Sequence, residues 1–101
     1  MPDKYSLRYI PVAEEDLISI LDWIAKDSPA RALKFVDKLE EKIGKLEQFP
    51  LLGRVPRHHK LREYGYRVLI IEDYLVFYII RKKTIEIHRV IRASRNLDHL
   101  I

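Results

Sequence analysis

The residues able to do chemistry in this chain are concentrated in its second half: Lys60, Arg62, Arg67, Arg81, His88, Arg89 and Arg92. Alternation places Lys60 and Arg62 on one side of a strand that starts that early. Arg67 opens the next extended run, and His88 and Arg89 end the last one. Strands joined as hairpins bring such groups together although they are distant in sequence. On an exposed sheet face they would hold consecutive phosphates, by charge and by the forked geometry of arginine. The same set carries the parts needed for RNA cleavage without a metal. That reaction needs a group to take the 2′-hydroxyl proton, a cationic site for the phosphorane and a donor for the departing 5′-oxygen. His88 is the acid or base in this reading, because an imidazole changes charge near neutral pH. Lys60 takes that role only in a buried, cation-crowded setting that favours the neutral amine. Arg62, Arg67 and Arg89 are then the phosphate clamps. In purely structural terms, all are surface charges that keep a small sheet soluble.

The charge balance supports a polyanionic partner. Eleven of the nineteen Lys and Arg residues lie between Arg54 and Arg95 with only four acids, a local net charge of +7. From Ala13 to Gln48 nine acids outnumber six bases. Such an uneven field steers an anionic partner to the basic part. Further contacts to a nucleic acid or other target are expected from Arg54, Arg57, His58, His59, Tyr64, Tyr66, Arg81, Arg92 and Arg95. Tyr64 and Tyr66 flank Gly65 among these charges, where a tyrosine can stack on a base. Tyr78 lies in Val76-Phe77-Tyr78-Ile79-Ile80 and is expected in the core. No cofactor is implied. His58 and His59 are adjacent, His88 and His99 are far away, and no acid completes a familiar metal-ligand spacing. Gly44, Gly53 and Gly65 are isolated, so there is no phosphate-binding glycine loop and no nucleophile elbow.

The elements that must position these groups follow from periodicity. A chain of 101 residues is one domain, residues 1–101, with one modest core. It has no cysteine, which removes disulfides and thiolate metal sites. Val68 to Ile71 and Leu75 to Ile80 are too short to cross a bilayer as helices, and residues 1–9 carry no signal pattern, so a soluble intracellular protein is expected. Tyr5 to Ile10 alternates as a strand, and Pro11 opens a helix whose stripe is Leu17, Ile20, Leu21 and Ile24. Asp27-Ser28-Pro29 stops that helix and caps the next. Ala32, Val36, Leu39, Ile43 and Leu46 then mark a second helix ending near Phe49-Pro50. Gly44 inside it costs about 1 kcal/mol relative to alanine. Leu51 to Lys60 is a loop. Arg62 to Ile71, Tyr74 to Arg81 and Thr84 to Val90 are strands joined at Glu72-Asp73 and Lys82-Lys83. The predicted fold is α+β in the order β-α-α-β-β-β, an antiparallel sheet packed against a two-helix hairpin, with its other face partly exposed. Ile20, Ile24, Val36, Leu39, Ile43, Val68, Ile70, Val76, Ile85 and Ile87 are expected to be largely buried.

Several motifs in this order resemble a known family. They are Ala13-x-x-Asp16-Leu17-x-x-Ile20, Asp27-Ser28-Pro29-x-x-Ala32 and Phe49-Pro50-x-x-Gly53-Arg54. Lys60-Leu61-Arg62-x-x-Gly65-Tyr66-Arg67, Tyr74-Leu75-Val76-Phe77-Tyr78 and Ile87-x-Arg89-Val90-x-x-x-x-Arg95 follow. Together they resemble the RelE/ParE superfamily of toxins from type II toxin–antitoxin systems, over almost the whole chain, and the resemblance implies the RelE-like fold. RelE-like members cut messenger RNA in the ribosomal A site without a metal. The resemblance places phosphate binding and proton transfer at Lys60, Arg62, Arg67 and around His88-Arg89. The tyrosine that RelE-like enzymes use after the last strand is absent from Arg92-Ala93-Ser94-Arg95. ParE-like members instead block DNA gyrase, and Phe49 to Arg54 and Tyr74 to Arg95 resemble that branch at least as closely. The leading expectation is a cytoplasmic, ribosome-dependent messenger RNA endoribonuclease that inhibits translation, acting on ribosome and mRNA and not on a membrane. A cognate antitoxin with an acidic or amphipathic segment would neutralise it. A gyrase inhibitor and a toxin-fold binding protein without catalysis are the alternatives.

Overall fold

Pro11, at the first position of its helix, and Ser28, between two helices, set the layout of the first half. The computed structural model describes residues 4–94, so Arg95 and His99 lie outside the described residues. Strand β1 (Ser6–Tyr9) leads into α1 (Pro11–Asp27) and α2 (Pro29–Gly44), which a 3-10 turn, Lys45–Glu47, extends. Ser28 ends α1 by donating its N–H to the Ile24 carbonyl and caps α2 by accepting the Arg31 N–H on Oγ at 3.2 Å. With one residue between them the two helices must fold back as a hairpin, as predicted. A short helix α3 (His59–Glu63) follows a loop, and β2 (Tyr66–Ile71), β3 (Tyr74–Arg81) and β4 (Thr84–Arg92) are the remaining elements among the described residues.

The sheet order is β1-β4-β3-β2. The two C-terminal hairpins are antiparallel, but β1 runs parallel to β4, from Ser6 opposite Thr84 to Tyr9 opposite Ile87. The sheet is therefore mixed, not wholly antiparallel as predicted. A strand reached through two helices is not bound to the antiparallel pairing that a tight turn imposes.

The helix layer and one sheet face share the main core, where Phe35, Leu39, Ile43 and Leu46 meet Leu69, Tyr74, Val76, Tyr78, Ile85 and Ile87. Phe35, its ring 5.0 Å from that of Tyr74, is buried, whereas the predicted Val36 is only partly buried, as are Ile20 and Ile70, which pack at the margins of the two clusters. The other predicted core positions are buried. On the opposite face Val68, Leu75 and Phe77 form a smaller cluster that Leu61 of α3 partly covers. This helix replaces the early strand predicted from Arg62. Lys60 and Arg62 therefore stand on a helical turn rather than alternating along a strand. Gly65, at φ +88°, then turns the chain into β2, a conformation that favours glycine.

Candidate functional site

The β3–β4 ladder carries a bulge that sets the position of His88. Phe77 pairs with Arg89 and Tyr78 with Ile87, which leaves His88 as the extra residue. Its ring meets two partners on the sheet face away from the helices. Nδ1 lies 2.9 Å from the Tyr66 hydroxyl, and Nε2 lies 3.1 Å from Glu86 Oε1. A carboxylate only accepts, so Nε2–H donates to Glu86 and Nδ1 accepts from Tyr66. Glu86 also accepts from Arg81 Nε at 2.8 Å and from Arg8 Nη1 at 3.3 Å. The hydrogen bonds from His88 and then Arg81 hold its pKa below the ordinary glutamate value. Side-chain exposure of His88 and Glu86 is only 15% and 14%, so this is a closed polar network rather than an open site. Glu86 and Arg8 were absent from the predicted site. The signal for Glu86 was there, two residues before His88 in an alternating strand. Arg8 joins through the parallel pairing that places it opposite Glu86.

The predicted clamps are spent elsewhere. Arg62 Nη1 donates to the carbonyls of Pro56, at 3.4 Å, and Arg57. Arg67 pairs with Tyr78 on the helix side of the sheet and donates to the Gly53 carbonyl at 3.1 Å and the Leu51 carbonyl at 3.2 Å. Arg89 makes a two-pronged contact with Asp16, at 2.8 and 3.2 Å, and Asp16 Oδ2 also accepts the Val90 N–H at 2.9 Å. The structure therefore does not gather Lys60, Arg62, Arg67, His88 and Arg89 on one face. Lys60 is exposed on α3 and has no partner among the described residues. Of the other expected contacts, Arg54, Arg57 and Tyr64 are exposed, and Arg81 and Tyr66 belong to the Glu86–His88 network. His58 stacks on His59 with centroids 5.2 Å apart, and Arg92 lies 5.5 Å over the ring of Trp23. Among the described residues no group of His, Asp and Glu is arranged to hold a metal.

Asp16 carries a pH prediction. Burial disfavours its charge, but the hydrogen bonds from Arg89 and the Val90 N–H outweigh burial and lower its pKa. A carboxylate with a lowered folded pKa stabilises the protein above its unfolded value, near ~4. That contribution is lost as pH falls through the lower folded value. Urea midpoints of the wild type are therefore expected to fall on acidification below that range, and those of Asp16→Asn to fall less over the same interval. Parallel curves would contradict this reading.

A second feature was not anticipated as a site. The loop that begins at Phe49-Pro50 is fixed from below by Tyr78, whose hydroxyl accepts the Gly53 N–H at 2.8 Å and donates to the Pro50 carbonyl at 2.7 Å. Burial raises the pKa of this phenol, against the opposing pull of Gly53 and Arg67. Arg67 ties the same loop through the Leu51 and Gly53 carbonyls. Held this way, the loop exposes Phe49, Leu51, Leu52 and Val55, between 49% and 66% each. Exposed apolar side chains on a rigid support, rimmed by Arg54 and Arg57, suit recognition of a protein better than hydrolysis of a phosphodiester. Four apolar residues in a Pro- and Gly-containing stretch without periodicity were the available sequence signal.

Comparison with known proteins decides between the two branches. No curated protein matches the chain. The family model described as the ParE toxin of the type II toxin–antitoxin system parDE matches residues 7–97. Among solved structures, a chain of the chromosomal ParDE toxin–antitoxin system from P. aeruginosa is similar at 26% identity and a TM-score of 0.73, covering 90% of this chain and 98% of that one. A chain of the toxin–antitoxin complex RelBE2 from Mycobacterium tuberculosis is similar at 25% identity and a TM-score of 0.59, covering 92% and 95%. The ParE match overturns the leading expectation of a messenger RNA endoribonuclease, and with it the ribosome and mRNA as partners. The physical reason is already visible in arginines that bind loop carbonyls and Asp16 instead of facing a shared phosphate site. From Leu7 into the tail beyond β4, the chain belongs to the ParE toxins of type II toxin–antitoxin systems, within the RelE/ParE superfamily.

Proposed function

We propose that this chain, as a single toxin domain, arrests growth by binding and inhibiting DNA gyrase without catalysing a reaction, and that a cognate antitoxin neutralises it. The family match over residues 7–97 carries this reading. The clamped loop supports it, because inhibition by binding needs a preorganised contact surface rather than a proton-transfer pair. Phe49, Leu51, Leu52 and Val55 form the apolar centre of the target contact in this proposal, with Arg54, Arg57, Lys60 and Tyr64 around it. Arg67 and Tyr78 act through the loop, as positioning residues. A gyrase inhibitor works in the cytoplasm, and no helix among the described residues is long and apolar enough to cross a membrane. Induced expression in a bacterial host is expected to arrest growth with a DNA-damage response, and co-expression of the neighbouring reading frame to restore it. The Leu51→Ser/Val55→Ser double variant should fold normally and lose the arrest. Undiminished growth under wild-type expression would contradict the proposal.

A further inference from the structure

Trp23 is the only tryptophan in the chain, and 62% of it remains exposed. It stands near the end of α1, and Arg92, the last residue of β4, lies over its ring. An indole left this open beside a guanidinium is a stacking surface with a positive rim. Its surroundings extend that rim. Trp23, Ile24, Lys26, Asp27, Arg31 and Arg92 line a cavity of about 480 Å³, a size that small ligands occupy. A second cavity, of about 360 Å³, shares Ile24 and Arg31 and continues past Lys34 and Phe35 to Lys38 and Glu72.

Five cations and two carboxylates line the two cavities, a net charge of +3. Both carboxylates are already engaged: Asp27 accepts from Arg31 and Glu72 from Lys38, each at 3.1 Å. Lys26, Lys34 and Arg92 have no ion pair among the described residues. α1 ends at Asp27 and α2 begins at Pro29, so the opposite partial charges of two helix ends lie side by side and largely cancel. The side chains therefore set the field, and it is positive next to an open aromatic ring.

We propose that these joined cavities bind a free purine nucleoside triphosphate. The base stacks on Trp23, and the phosphate chain runs past Arg31 toward Lys34, with Lys26 and Arg92 at its near end. A purine matches the fused rings of indole in area, and stacking of this kind needs no hydrogen-bond code. Phosphate oxygens satisfy the unpaired cations, and a guanidinium can take two of them at once. An acidic side chain would meet the same cations but has no ring to lay on the indole. A nucleic-acid strand shares the chemistry of the nucleotide, but it calls for successive aromatic platforms, and Trp23 is the one exposed aromatic ring lining these cavities. No residue of the loop 49–55 lines either cavity, so the assignment does not depend on gyrase inhibition.

The test titrates the full chain with ATP and with GTP and follows the fluorescence of Trp23, which a stacked base quenches. Saturable quenching is expected. Adenosine and inorganic triphosphate each supply half of the ligand and should bind about tenfold more weakly. Anisotropy of a fluorescent ATP analogue carries the measurement to variants. Trp23→Leu should weaken binding by about tenfold through lost stacking, and Lys26→Gln/Arg92→Gln by about as much through two partly screened charge contacts. All three positions are exposed, so the variants should keep the wild-type urea midpoint. The adenosine and triphosphate arms keep the test valid if a variant fails to fold. Four results would overturn the proposal: no saturable binding, triphosphate binding as tightly as ATP, unchanged affinity in the folded variants, or tighter binding of a single-stranded oligonucleotide. The second would leave a bare anion patch, and the last a nucleic-acid contact. Gyrase supercoiling assays on the same samples separate the two readings. Gyrase inhibition without nucleotide binding rejects this site alone, and nucleotide binding without gyrase inhibition rejects the gyrase reading alone.

Discussion

Ile43→Ala is expected to lower the stability of this domain by about 2–5 kcal/mol, a large share of what a chain of this size holds in reserve. Ile43 is fully buried in the core that α2 shares with the sheet. Its truncation removes apolar contacts and leaves a cavity that a hairpin pinned at Ser28 has little freedom to close. Val36, seven residues back but only partly buried, should cost less when cut to alanine. Urea denaturation of both variants checks this. A larger loss for Val36→Ala than for Ile43→Ala would contradict the packing described.

Gly53→Ala is the second change with a large expected effect. A Cβ at position 53 would lie 2.7 Å from both the Tyr78 ring and its hydroxyl, well inside van der Waals contact. Tyr78 is fully buried, so its ring cannot swing away, and the loop must move instead. Overpacking of this kind costs about 1–3 kcal/mol. If the loop moves, the Gly53 N–H and the Pro50 carbonyl also lose the Tyr78 hydroxyl, at roughly 1–3 kcal/mol for a buried group left unpaired. Tyr78→Phe isolates the second contribution, and the two changes combined should cost less than their sum because they share one contact. Gly53→Ala is further expected to abolish growth arrest by displacing Leu51 and Val55. A Gly53→Ala variant with wild-type stability and toxicity would remove the clamp from the description.

Much of this architecture was legible in the sequence because it depends on local signals. Asp27-Ser28-Pro29 specifies a cap and a first turn, and two-residue connections between alternating runs specify hairpins. The parallel pairing of β1 with β4 was not legible, since an alternating strand looks the same whichever way its neighbour runs. The five-residue helix around Leu61 is too short to show a period. Phe35 and Val36 are adjacent and both apolar, and the ring contact with Tyr74 that favours Phe35 is made across the fold. The candidate site was less legible for a related reason. A list of arginines shows charge but not the acceptors those charges will meet. The acceptors of Arg67 are backbone carbonyls of Leu51 and Gly53, which no side-chain pattern reveals. The acceptor of Arg89 is Asp16, seventy-three residues away.

The most direct measurement places the purified chain in two reactions, one with gyrase, ATP and relaxed plasmid, the other with translating ribosomes and messenger RNA. Loss of supercoiling in the first and intact message in the second is the expected result. Cleaved message with undisturbed supercoiling would contradict inhibition of gyrase by binding.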